Sequence, residues 1–199
     1  MNCHPGNRPL GDQIHMPVLP VRLFGDPVLR TPADTVTKFD DRLERAVADL
    51  TDTVVHEEGA GLAAPQIGLS IRVFVYNCGG REGHLVNPEW EPLDDEKTHV
   101  NEGCLSIPGI TEPTERFARV RARGQDMYGN PVSFDAEGIL ARAVQHETDH
   151  LDGVLFLQRL TPEARRSAMS EIRAASWFGS AAISAGVIHE HLSEPMGVK

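Results

Sequence analysis

The stretch GILARAVQHETDHLDG, residues 138–153, decides how the rest of the chain is read. It predicts a helix stopped by Gly153. His146 and His150 stand at i and i+4, so their side chains leave the same helix face. Two imidazoles so placed can hold a metal ion. Glu147, beside the first of them, is placed to take a proton from a water that such an ion acidifies. A surface helix with two exposed histidines would give the same string. The identity of a third ligand separates the two readings, because a catalytic site of this kind takes three protein donors and keeps one position open.

Three places are to be searched for that ligand. In the extended pattern H-E-x-x-H-x-x-G-x-x-H, Gly153 fits, but the last position is Phe156, which cannot ligate. Glu171, on a later Arg-rich helix, is spaced as in the His2Glu proteases. Upstream, NEGCLSIPG (101–109) offers Cys104, whose thiolate is a strong transition-metal ligand. From spacing alone, Glu171 and Cys104 both stand.

Outward from this helix, DDRLERAVADLTDTVVHE (40–57) has Leu43, Val47, Leu50 and Val54 on one face, with Asp40 or Asp41 as cap. GAGLAAPQIG (59–68) breaks it. IRVFVY (71–76) and the segment from His84 to Trp90 read as strands. ARVRARGQDM (118–127), YGNP and VSF read as a hairpin. Pro162 opens a last helix. Before all of these, VRLFGDPVLRTPAD is a short extended piece running into loops. Helix, strands, hairpin and helix in this order make an α+β domain, not repeated βαβ units.

The chain has 199 residues, enough for one domain, here placed at 17–176 between a loose leader (1–16) and a Gly/Ala/Ser-rich tail (177–199). Met16 is an alternative start. A formal net charge of -10 argues against sequence-specific nucleic-acid binding. No apolar run is long enough to cross a membrane. No signal peptide or transit peptide is recognisable, so the cytoplasm is the expected location. Three cysteines, Cys3, Cys78 and Cys104, make no disulfide framework.

Three segments together resemble the peptide deformylase family. Its motif G-x-G-x-A-A-x-Q is similar to Gly59–Gln66, E-G-C-L-S to Glu102–Ser106, and Q-H-E-x-D-H to Gln145–His150, all in the family's order. The pattern extends from about Val21 to Leu160. The resemblance implies antiparallel sheets packed around a central metal-binding helix, with a C-terminal helix. It implies Cys104 as the third ligand with His146 and His150, and Glu147 as the base. Gln66 and the Leu105 backbone N–H become the donors to the reacting oxygen. The implied metal is Fe2+, with Zn2+, Ni2+ or Co2+ as possible occupants. The implied reaction removes the formyl group from the N-terminal formylmethionine of new polypeptides, by a monomer.

Further expectations attach to this reading. Gly61 permits either a positive φ or close approach of a peptide backbone. Ile139 and Ala143 are candidates for the wall of the methionine pocket, and Arg142 brings a charge near the expected groove. Arg116 is expected to pair with Glu102 or Asp149 and to brace the Cys104 loop. Arg159, Arg165, Arg166 and Arg173 form a basic face that suits transient ribosome contact. The competing readings are a zinc endopeptidase using His146, His150 and Glu171, and a non-catalytic protein that only binds formylated N-termini.

Overall fold

The computed structural model describes residues 18–179. The leader, Cys3, Met16 and the tail from residue 180 lie outside them. Asp40 caps helix α1 (Asp41–His56) by accepting from Arg42 N and Leu43 N. Seven strands follow: β1 (Gly61–Ala63), β2 (Val73–Cys78), β3 (Arg81–Pro92), β4 (Lys97–Cys104), β5 (Ile107–Phe117), β6 (Arg119–Gln125) and β7 (Pro131–Glu137). Helices α2 (Gly138–Leu151) and α3 (Pro162–Ala174) come last. All pairing among the strands is antiparallel, in a five-stranded sheet β1-β2-β3-β6-β7 and a two-stranded sheet β4-β5. The α+β expectation matches this architecture.

The period-2 alternation of β2 places the two long helices. Val73 and Val75 pack with Leu43, Val47, Leu50 and Val54 of α1. Phe74, Tyr76 and Cys78 pack with Leu140, Val144 and Leu151 of α2. Successive strand residues face opposite ways, so α1 and α2 cover opposite faces of the larger sheet. Burial on both faces explains why β2 is almost continuously apolar.

A third apolar cluster joins Ile107 and Ile110 of β5 to Leu155, Phe156 and Leu157 after α2, and to Ala168 and Ile172 of α3. Trp177 and Phe178, assigned by sequence to the tail, pack on this cluster, and Trp177 Nε1 donates to Pro108 O at 3.1 Å. The hairpin β4–β5 has no counterpart in the sequence reading. It ends in a register shift at Gly103/Cys104, which leaves Cys104 paired with Ile107 at the tip. The backbone of the entering segment ties this tip to the loop after β1: Arg22 N donates to Gln66 O at 2.7 Å and Phe24 N to Ser106 O at 2.8 Å.

Candidate metal centre and its cleft

From Ala143 to Leu151 every residue of α2 is buried, including Gln145, His146, Glu147, Thr148, Asp149 and His150. Such a run of buried polar groups is stable only if partners satisfy them. Thr148 Oγ1 returns its proton to Val144 O at 2.7 Å. Gln145 bonds the backbone of Phe117 with both ends of its amide, at 3.0 Å each, and Ala141 O at 2.9 Å. His146 Nδ1 lies 2.6 Å from Glu102 Oε1.

Cys104, His146 and His150 come together: one donor atom from each lies within 4.8 Å of the others. Cys104 Sγ is 3.2 Å from His150 Nε2, and the two imidazoles meet edge-on with centroids 4.9 Å apart. One thiol and two imidazoles, converging at the edge of a cleft, suit a divalent transition ion. Glu171 does not join them. It is exposed on α3 and accepts from Ser167 Oγ, so the endopeptidase ligand set is corrected.

Glu147 is buried beside these donors, and its Oε2 has no hydrogen-bond partner among the described residues. Burial pushes its carboxyl up to about 7. His150 Nδ1 is also without a partner. Burial opposes a charge on His146, but the Cys104 sulfur and the Glu102 carboxylate outweigh it and raise its pKa. Burial and the neighbouring His146 lower that of His150.

Gly61 has no positive φ; it is an extended residue of β1. Its lack of a side chain makes room for Glu147 instead, since a Cβ there would meet Glu147 Oε1 at 2.6 Å. Gln66 is buried, its Oε1 accepting from Ala63 N at 2.8 Å. That bond turns Nε2 toward Ser106 Oγ at 3.2 Å and Cys104 Sγ at 3.7 Å.

Arg116 bonds both candidate carboxylates rather than one. Its Nε and Nη2 donate to Glu102 at 2.9 and 2.7 Å, and its Nη1 to Asp149 at 2.7 Å. All three are buried. Arg159 donates to Asp149 from the other side, at 2.6 and 3.1 Å, so it does not belong with the exposed basic face of α3, where Arg166 pairs with Glu163. Ser106 and Arg159 are the contributors missed from sequence. The signal for Arg159 was its position nine residues after His150, on the turn that folds back over α2.

The cleft has a volume of about 490 Å3. Its walls include Gly61, Leu105 and Ile110 opposite Ile139, Arg142 and Ala143. Ala143 is buried, whereas Ile139 is 42% exposed at the rim.

The family model for polypeptide deformylase matches residues 18–166. The chain belongs to the polypeptide deformylase family. The chain is 55% identical to the peptide deformylase of Acidothermus cellulolyticus over 164 residues, which cover 82% of this chain and 91% of that one. It is 53% identical to peptide deformylase 1 of Corynebacterium glutamicum, over 82% and 99% of the two chains. The crystal structure of peptide deformylase from Thermus thermophilus superposes with a TM-score of 0.74 at 42% identity, covering 79% of this chain and 94% of that one. For the Thermotoga maritima enzyme the TM-score is 0.71 at 43% identity, with 74% and 100% covered. Membership makes the chain a metal-dependent deformylase and sets aside the endopeptidase and the non-catalytic binder. No described helix is long and apolar enough to cross a membrane.

Proposed function

We propose that this deformylase hydrolyses the formyl group of N-terminal formylmethionine with Glu147 as general base and acid, in a site whose metal is held by Cys104, His146 and His150. One observation carries the assignment: a buried carboxylate oxygen of Glu147, without a partner among the described residues, accompanies one thiol and two imidazoles that converge. A divalent ion held there supplies Lewis-acid polarisation and acidifies water; we infer Fe2+ as the native ion, with Zn2+, Ni2+ or Co2+ able to replace it.

Glu147 takes a proton from the attacking water and returns it to the departing amine nitrogen. The C–N bond breaks, formate leaves, and the peptide keeps a free amino group. Charge developing on the formyl oxygen needs fixed donors. Gln66 Nε2 and the Leu105 backbone N–H serve, the first held in place by Ala63 N on its own Oε1. Gly61 keeps the wall beside Glu147 thin enough for a peptide backbone. Ile139 and Ala143 contribute apolar surface for the methionine side chain.

The Arg116 bridge between Glu102 and Asp149 holds His146 in orientation, because Glu102 accepts from His146 Nδ1. The catalytic unit is the domain placed at 17–176 together with Trp177 and Phe178, which pack on its third apolar cluster, and it works as a monomer in the cytoplasm, where new formylated chains are made. Arg165, Arg166 and Arg173 on α3 suit a transient ribosome contact. The test is formate release from a formyl-Met tripeptide by anaerobically purified, Fe2+- or Ni2+-loaded protein. Turnover is expected, with loss in Cys104→Ala. A fully metallated protein that releases no formate would overturn the assignment.

A further inference from the structure

The cleft contains one cation that the proposed chemistry does not use. Arg142 lies on α2, one turn before His146, and is half-buried in the cleft wall. It makes no hydrogen bond or ion pair with any described residue, unlike Arg116 in the same region, which is fully engaged by Glu102 and Asp149. The carboxylates that share the cleft are otherwise occupied or distant in effect. Glu102 is bound by Arg116 and His146, and Glu57 at the rim lies 3.2 Å from His56 Nδ1. Glu147 forms no ion pair with Arg142, and its largest electrostatic neighbours are His146, Glu102, Arg116 and Asp149. The charge of Arg142 is felt at Cys78, whose thiol burial keeps protonated.

A guanidinium is always charged and offers five donors in a planar fork that matches a carboxylate. Half-buried in a cleft that Ile110, Ile139 and Ala143 also line, it is partly stripped of water and gains from an anion brought by the substrate. The formyl group and the methionine side chain are both neutral, so neither meets that charge. We infer that Arg142 is a specificity-determining residue that makes this cleft favour formylated peptides with an acidic side chain at the second or third residue. The inference rests on the deformylase reading of the cleft.

The test compares formyl-Met-Asp-Ala with formyl-Met-Lys-Ala, and formyl-Met-Ala-Asp with formyl-Met-Ala-Lys, on the metal-loaded enzyme. Calorimetric binding of the four deformylated products runs alongside and needs no turnover. The acidic member of at least one pair is expected to lead by roughly tenfold in kcat/KM and in Kd, an advantage that shrinks as salt is raised. Arg142→Gln should bring the pair within about twofold, and Arg142→Glu should reverse the order. Equal constants for acidic and basic peptides in the wild type overturn the inference. So does a preference that survives in Arg142→Gln, or a loss in that variant that is the same for all four peptides, which would mean main-chain recognition. If no peptide is turned over, the deformylase reading fails, and the binding series still decides the role of Arg142.

Discussion

A Cβ built on Gly61 lies 2.6 Å from Glu147 Oε1 and 2.9 Å from its Cγ. Gly61 is fixed in β1 by its pairing with Tyr76, so the strand cannot easily yield. The Glu147 side chain must move instead, and it is the proposed proton carrier. Gly61→Ala is therefore expected to fold and bind metal normally while kcat falls by about a hundredfold. Steady-state kinetics with metal content measured on the same sample checks this; unchanged kcat would show that Glu147 tolerates displacement.

Removing Arg116 leaves two buried carboxylates, Glu102 and Asp149, facing each other without the cation between them. Loss of one member of such a network costs about 3–5 kcal/mol. Arg116→Ala should show that loss in urea unfolding of metal-free protein, and should bind metal about 10- to 100-fold more weakly, because Glu102 no longer holds His146. Arg159→Ala should be milder, since the Arg159 side chain is 48% exposed and Asp149 keeps Arg116.

Acid stability follows from Glu102. Burial alone would raise its pKa, but hydrogen bonds from Arg116 and His146 outweigh that and hold the carboxyl at about 2, below the ordinary 4.5. The folded state thus binds the proton less readily than the unfolded chain. The contribution is complete above about pH 4.5 and is lost as pH falls toward 2, on the order of 3 kcal/mol in all. Urea unfolding of metal-free protein between these limits should show the decline, and Glu102→Gln should flatten it while being less stable at neutral pH.

The parts of the fold that could be read from sequence are those with a physical signature in one segment. Asp40 before Leu43, Val47, Leu50 and Val54 marks α1, and Pro162 marks α3. The hairpin β6–β7 announced itself through the turn 126–130, where Asp126 Oδ1 accepts from Tyr128 N and Asn130 N. The sheet β4–β5 could not be read so. Much of β4 is exposed, its residues do not alternate apolar with polar, and Pro108 and Pro113 sit inside β5. Its order comes from partners distant in sequence, Leu155–Leu157 and α3. The same holds at the site. Cys104 and the two histidines belong to short motifs, whereas the contacts of Gly61 with Glu147 and of Arg159 with Asp149 exist only once the chain is folded.

Gln145 gives the last test, because it joins β5 to α2 without touching the metal donors. Its amide accepts from Phe117 N and donates to Phe117 O, acting as one more strand position beside β5. It is buried, and losing it leaves the partly buried N–H and C=O of Phe117 without this partner. Gln145→Ala is expected to lower stability by about 2–4 kcal/mol. Gln145→Glu keeps the acceptor for Phe117 N, but a carboxylate cannot donate to Phe117 O and must be buried or protonated to stay. Glutamate should therefore destabilise at least as much as alanine at neutral pH and recover part of the loss in mild acid. Thermal melts of both variants at two pH values measure this. A glutamate variant as stable as the wild type at neutral pH would mean that the Phe117–Gln145 link carries no net weight in the fold.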